Sequence, residues 1–243
     1  MNMKKIFLFI VCLSLLSASN ASESSIQANV KGSGNVVNKL RKVENFNKLD
    51  IDGTFNIYLS QGDTESLRIE TDDNLHQYIL TKVVNGKLII KVAKNVNFRN
   101  VTKNNIYIKV KDIELINAGG MCDISGTTKI NSDKLFINAS GMTNIKLNIF
   151  CDQLNIKSSG MSDCIFKGKA DVIIIDSSGT NDIIAKDFIA EKAFIQKSGM
   201  SDISVYANKE ISISSSGIGD ITYYGNPVIK KLEKSGIGDI IKK

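Results

Sequence analysis

The sequence predicts an all-β fold, a parallel β-helix (solenoid) whose coils are about 19 residues long. Three observations support this prediction. The composition favours strands, because Ile is frequent, Pro occurs once and Trp is absent. A glycine-centred motif recurs at a nearly constant interval in the second half of the chain. Between its copies lie short runs of alternating polarity, such as KLFINAS, QLNIKSS and EISISSS, which are typical of strands.

The repeat has seven copies, from GGMCDI at 119–124 through SGMSDI at 198–203 to SGIGDI at 235–240. This period is too short for a helix-pair repeat, and the leucine-rich repeat signature is absent. One coil of a parallel β-helix, by contrast, can be built from two or three such short strands. We expect each anchor glycine to turn the chain at a corner that requires positive φ or close backbone approach. The anchor glycines are Gly120, Gly141, Gly160, Gly179, Gly199, Gly217 and Gly236.

Three apolar columns run through the repeats in register. Aliphatic residues stand four positions before each glycine, and Ile or Cys stands four positions after it. The position directly after the glycine holds Met121, Met142, Met161, Thr180, Met200, Ile218 and Ile237. Thioethers bind Cu(I) well. The Thr and Ile members of the column, however, keep the bulk of the side chain and lack the thioether sulfur. We therefore expect this column to pack in the core with the other two.

The first residues have the pattern of a secretory signal peptide covering residues 1–21. MNMKK supplies a positive end, IFLFIVCLSLL supplies an apolar run, and Ser19 and Ala21 precede a predicted cleavage at Ser22. No later apolar stretch is long enough to span a membrane. We expect an exported protein, periplasmic, at the outer surface or secreted, with no transmembrane segment after cleavage. Residues 22–39 are expected to form an exposed lead-in.

Residues 40–243 are predicted to form a single β-helical domain, with regular repeats from about residue 113. The stretch from Gly53 to Ile57, GTFNI, matches the repeat spacing and indicates a degenerate first coil. SLRIET and KLIIKVA are expected strands. Between them, DDNLHQYI is expected to form one short helical turn that Asp72 or Asp73 caps.

These segments together resemble the head domains of autotransporter adhesins called the GIN domain family. The likeness rests on FNKLDIDGTFNI, QGD, DNLHQYI, NGKLIIK, the iterated SGxxDI and the closing YYGNPVIKKLEKSGIGDI, and it covers roughly residues 40–243. The resemblance implies an exported, right-handed parallel β-helix of Gram-negative envelopes. It also implies an adhesin-like role.

An aspartate column is the sharpest chemical feature of the repeats. Carboxylates one coil apart, at about 4.8 Å, would repel each other by about 1 kcal/mol even in water. Hydrogen bonds from turn N–H groups can compensate, and so can a Ca²⁺ ion held between coils. We favour the corner-forming role and expect no cofactor, with Ca²⁺ as the alternative for this column. The Ca²⁺ candidates are Asp163, Asp182, Asp202, Asp220 and Asp239.

Catalysis has little support in the sequence, and no catalytic residue is assigned. His76 is the only histidine, and we expect it to be exposed and inert. Cys122, Cys151 and Cys164 remain after signal cleavage and match no metal or redox spacing, so we expect buried small hydrophobes. A carbohydrate-active enzyme is the alternative from another class, but an active site should break the repeat, whereas these acids are nearly equivalent from coil to coil.

The charge pattern excludes one class of partner. The formal net charge of +6 falls to +4 once Lys4 and Lys5 leave with the signal peptide. The remaining lysines alternate with aspartates and form no basic stripe, so no nucleic acid is expected. We expect a binding or structural protein of the cell envelope whose ladders face an envelope or host glycan or protein. A calcium-stabilised module is the second alternative.

Overall fold

The computed structural model describes residues 27–243, and the signal peptide predicted for residues 1–21 lies outside them. Sixteen strands and no helix form in this range. The strands are β1 Ala28–Lys31, β2 Val36–Arg41, β3 Lys48–Gln61, β4 Ser66–Asp72, β5 Ile79–Val84, β6 Lys87–Val92, β7 Val96–Arg99, β8 Asn104–Val110, β9 Leu115–Ala139, β10 Met142–Ser158, β11 Met161–Ser177, β12 Thr180–Lys197, β13 Met200–Ser215, β14 Ile221–Tyr224, β15 Val228–Lys234 and β16 Ile240–Lys242.

The repeats stack as a β-solenoid of about six turns with coils of about 19 residues, which confirms the predicted fold class. Each of the strands β9 to β13 is one coil bent around the core, and each pairs in parallel with the next. The motifs lie in register, so that Met142 pairs with Met161 and Ile145 with Cys164. A sequence position therefore becomes a column that runs along the solenoid.

The degenerate first coil predicted around Gly53 is confirmed. Strand β3 pairs in parallel with β9, and Gly53 to Ile57 lie opposite Gly120 to Ile124. On its other edge β3 pairs with β6 and β8, which carry the antiparallel strands β5, β4 and β2. These strands cover the N-terminal end of the solenoid, and β1 pairs with β7 in a separate two-stranded sheet.

Two expectations for the N-terminal half are wrong. DDNLHQYI forms turns rather than a helical segment, and His76 is 3% exposed rather than a surface residue. Its Nε2 atom lies 3.1 Å from the backbone oxygen of Val37 in β2, the strand that pairs with β4 just before the turn. Burial lowers the pKa of His76.

The segment predicted as a lead-in, residues 22–39, contains β1 and the start of β2 where the structure describes it.

Asp72 connects this N-terminal segment to the rest of strands β1 to β8, which we call the N-terminal lobe. Its buried carboxylate accepts hydrogen bonds from the backbone N–H of Gly34 at 2.6 Å and of Thr102 at 2.8 Å. The Thr102 hydroxyl adds a third at 2.9 Å. Burial alone would raise the pKa of Asp72, but these hydrogen bonds lower it.

The two aliphatic columns form part of the core. In the column four positions before the glycine, members from Ile116 to Ile213 are at most 4% exposed. Only in the last coil does the member, Leu232, reach 51%. Burial of one such side chain contributes about 1.5–3 kcal/mol.

The methionine column faces solvent, so the expectation of core packing is wrong. Met121, Met142, Met161 and Met200 are 48%, 48%, 57% and 56% exposed. The reason is the two-residue period of a strand. The isoleucine that follows the methionine by three positions points inward, so the methionine must point outward. The methionine column and the isoleucine column have similar apolar residues, so residue type alone does not show that they face opposite sides of the strand.

The anchor glycines are required by close backbone approach. A Cβ atom at Gly141, Gly160 or Gly179 would lie 2.0–2.1 Å from the backbone oxygen of the preceding anchor glycine. Among the seven anchors, only Gly120 has a positive φ, of 71°. The sequence left both explanations open, and the structure selects close approach for the other six.

We expect Gly199→Val to destabilise the protein by about 3 kcal/mol or more. The new Cβ would lie 2.0 Å from the Gly179 oxygen, and the clash is with rigid backbone. The melting temperature should fall by about 6–12 °C. Ser198→Val is the matched control, because Ser198 is exposed one residue earlier and should tolerate the change. An unchanged melting curve for Gly199→Val would contradict the close-approach explanation.

Candidate functional site

Two outward columns share one side of the corner, and we call them together the ladder face. The first is the apolar stripe directly after the anchor glycines, and the second is the acidic column two residues further along. Both alternate with buried residues along the strands. The stripe comprises Met121, Met142, Met161, Thr180, Met200, Ile218 and Ile237, and the acidic column comprises Asp123, Asn144, Asp163, Asp182, Asp202, Asp220 and Asp239.

The apolar stripe is continuous except at Thr180. Its last two members, Ile218 and Ile237, are 50% and 73% exposed. Six coil spacings of about 4.8 Å make the stripe roughly 29 Å long. All methionines that follow the predicted signal peptide belong to it. Methionine adapts its shape to varied partners, so the stripe is a surface suited to contact rather than to core packing.

The acidic column brings all the predicted Ca²⁺ candidates into one row. Asp163 pairs with Asp182, and Asp182 with Asp202. Hydrogen bonds absorb part of the repulsion in the last coils, since Asp202 accepts from the N–H of Asp220 at 2.7 Å. Asp220 in turn accepts from the N–H of Asp239 at 2.7 Å. Two members, Asp202 and Asp220, therefore accept the backbone hydrogen bonds expected for a corner.

Two shallow grooves of the ladder face follow the acidic column. The first has a volume of about 420 Å³ and runs past Asp123, Asn144 and Asp163. The second has a volume of about 240 Å³ and runs past Asp182 and Asp202. Within residues 27–243 no group of three or more His, Cys, Asp or Glu side chains is placed to hold a metal ion.

The acidic column continues into the N-terminal lobe, which the sequence did not indicate. Asn56 of β3 pairs with Asp123, and Asn105 of β8 pairs with Asn56. Glu70 of β4 lies next in the row, opposite Asn105. Side-chain amides link the row, with Asn144 Nδ2 donating to Asp123 at 2.6 Å. The face is thus longer than the regular repeats.

A buried polar column lies behind the corner, and the sequence reasoning did not predict it. The side-chain amide of Asn181 bonds the hydroxyls of Ser158 at 2.6 Å and Ser177 at 3.1 Å. Ser177 also donates to Ser201 at 3.1 Å. The signal is present in the sequence, because small polar residues stand two positions after the glycines from Thr143 to Ser201. These bonds satisfy polar groups that burial would otherwise penalise.

Lys197, the register partner of Ser177, is a buried cation in this column. The residue is 1% exposed. Its Nζ donates to the backbone oxygens of Ser201 and Ile218, each at 3.1 Å, and to that of Gly219. Burial lowers the pKa of Lys197. Lys197 therefore joins two coils from inside.

The residues considered for catalysis do not come together. Cys122 and Cys164 are buried and Cys151 is half-buried, all three as free thiols. Burial raises the pKa of each to about 12, so none is a thiolate at neutral pH. His76 lies in the N-terminal lobe, with Nε2 at the Val37 oxygen.

Comparison with known proteins supplies the family. The profile described as "Putative auto-transporter adhesin, head GIN domain" matches residues 45–227. The chain belongs to this family. The resemblance seen in the sequence is thereby confirmed. A search of curated proteins finds no similar sequence.

Solved structures share the fold of this GIN domain. A putative adhesin from Bacteroides fragilis NCTC 9343 is 29% identical, with a TM-score of 0.86, over 88% of this chain and 100% of that one. A putative adhesin from Parabacteroides distasonis ATCC 8503 is 22% identical, with a TM-score of 0.69, over 89% and 100%. A putative lipid binding protein from the same organism is 26% identical, with a TM-score of 0.66, over 88% and 100%.

The GIN domain contains no helix that meets the length and apolarity needed to cross a membrane, as far as residues 27–243 are concerned.

We expect the melting temperature of the GIN domain to be the same with a chelator and with added Ca²⁺. The Asp oxygens that accept backbone N–H groups already have partners, and neighbouring carboxylates lie in a single row rather than around a centre. Calorimetry with EDTA and with millimolar CaCl₂ tests this directly. A Ca²⁺-dependent rise in the melting temperature would instead support the calcium-stabilised module.

Proposed function

We propose that this protein is an exported cell-envelope binding protein that contacts an envelope or host glycan or protein through its ladder face. Membership of the adhesin family supports a binding role, and so do neighbours that carry adhesin names. The signal-peptide pattern of residues 1–21 supports export.

The exposed apolar stripe is the observation that carries the proposal. Single exposed apolar residues are ordinary on protein surfaces, but a contiguous row marks an interaction site. Folding does not require this row, because the core columns on the inward positions are complete without it. The repeat nevertheless keeps Met or Ile in six of the seven copies. Contact with a binding partner explains why the repeat keeps Met or Ile at these positions.

The acidic column supplies the polar half of the same face. Its carboxylates and amides repeat once per coil, beside the stripe, and Asp163 and Asp182 are exposed. Apolar contact with adjacent hydrogen-bond acceptors is typical of binding surfaces that combine affinity with specificity. The near equivalence of the carboxylates from coil to coil favours binding over a single catalytic centre, and we propose no enzymatic activity.

The test compares binding of the mature protein with that of a ladder-face variant. The triple variant Met142→Ser, Met161→Ser, Met200→Ser removes three outward methionines and should leave stability within about 1.5 kcal/mol of wild type, because surface changes cost little. Binding to isolated envelope fractions should fall at least about tenfold, a loss of about 1.4 kcal/mol.

A matched control alters another outward column. Phe136→Ser, Ile174→Ser and Phe194→Ser change exposed or half-exposed residues five positions before the anchor glycines. This triple variant should bind as wild type does. Equal loss in both variants, or no loss in the methionine variant, would contradict the role of the ladder face.

A further inference from the structure

Three planar side chains stack in a row at the N-terminal end of the solenoid. Tyr58 of β3 and Tyr107 of β8 are register partners, and their ring centroids lie 4.9 Å apart with an interplanar angle of 17°. The guanidinium carbon of Arg68, from β4, lies 3.6 Å from the centroid of Tyr107. Tyr107 is thus held between the other two groups. The stack is an aromatic platform formed by three different strands.

Hydrogen bonds fix this platform from one side. The Tyr107 hydroxyl donates to Glu70 Oε2 at 2.9 Å, and Glu70 also accepts from Asn105 at 2.9 Å and Lys103 at 3.0 Å. These bonds lower the pKa of Glu70 to about 2. Arg68 donates one hydrogen bond, to Asn38 Oδ1. The platform is therefore preorganised, which reduces the entropy cost of binding.

A groove of about 260 Å³ opens beside the platform. Leu40, 78% exposed, stands among its lining residues. Hydroxyls and cations complete the lining, while no Asp or Glu contributes to it. Its principal residues are Leu40, Tyr58, Ser66, Arg68, Lys109 and Thr127.

The charges of this groove differ from those of the ladder face. Within residues 27–243 neither Arg68 nor Lys109 forms a salt bridge. A guanidinium has five N–H donors and binds carboxylate or phosphate in a forked geometry. The groove therefore has cationic donors available for an anion, next to aromatic and apolar surface.

We infer that this groove binds a carbohydrate unit that bears an anionic group, a carboxylate or a phosphate. The sugar ring would lie against Tyr58 and Leu40, hydroxyls would bond Ser66 and Thr127, and the anion would meet Arg68 and Lys109. The volume suits a small ligand, whereas a folded protein partner needs about 800 Å² on each side. The inference goes beyond the proposed function by adding a site for an anionic sugar, and the groove shares no residue with the apolar stripe.

NMR titration of the ¹⁵N-labelled mature protein tests the inference. The probes are glucuronic acid, glucose 6-phosphate, glucose, inorganic phosphate and a short Glu-rich peptide. We expect at least one of the two anionic sugars to shift the Tyr58 and Arg68 backbone signals and to bind at least about tenfold more tightly than glucose or phosphate. The preferred anionic sugar distinguishes carboxylate from phosphate sources.

The variants Arg68→Gln and Tyr58→Ser should each weaken that binding at least about fivefold. Lys109→Gln serves as a third variant, because Lys109 is exposed and its loss should not affect folding. Tyr224→Ser, in β14, is the matched tyrosine control and should bind as wild type does. The ladder-face triple variant should also bind the sugar normally, so that failure here and failure of the proposed function are distinguishable.

Several results would overturn the inference. If glucose bound as tightly as the anionic sugars, the anionic group would have no role in binding. If inorganic phosphate bound as tightly as the anionic sugars, the groove would be a site for an ion rather than for a sugar. Tighter binding of the Glu-rich peptide would indicate a protein partner. Binding that survives all three groove variants, or no binding of either anionic sugar, would also contradict the assignment.

Discussion

Close approach of backbone to backbone at the glycine corner is the constraint on which the rest of the structure depends. A Cβ atom at Gly160 would lie 2.0 Å from the oxygen of Gly141, and the same holds one coil later at Gly179. Because glycine has no side chain, the backbone of each coil packs directly on the backbone of the preceding coil at the corner. The corner hydrogen bonds, such as Met161 N–H to Gly141 O at 3.0 Å, then repeat in register. Register in turn makes every sequence position a column.

Because neighbouring strand positions alternate between core and solvent, the corner determines two surfaces at once. Inward positions carry the aliphatic columns and the polar column that includes Lys197. Outward positions carry the stripe of Met161 and its counterparts beside the acidic row. The same repeat that stacks the coils therefore places evenly spaced outward side chains on a rigid β-solenoid. Solenoid proteins that bind through an extended face use this arrangement.

The fold could be predicted from the sequence because the repeat and its period are local signals. The degenerate coil at Gly53 was visible for the same reason. The residue types of the three similar columns do not show on which side of the strand Met161 points, and only the odd spacing between the columns does. The burial of His76 and the contact of Tyr58 with Tyr107 depend on strands distant in sequence, 49 residues apart in the second case. No local pattern reports such pairings.

Methionine oxidation tests most directly whether the stripe lies on the surface. Residues 22–243 contain four methionines, Met121, Met142, Met161 and Met200, and each belongs to the stripe. Under dilute hydrogen peroxide, mass spectrometry of the native protein should show sulfoxide formation at each site within about threefold of the rate in the unfolded chain. Protection of these sites by more than about tenfold in the native monomer would place the column in the core. That result would contradict the account.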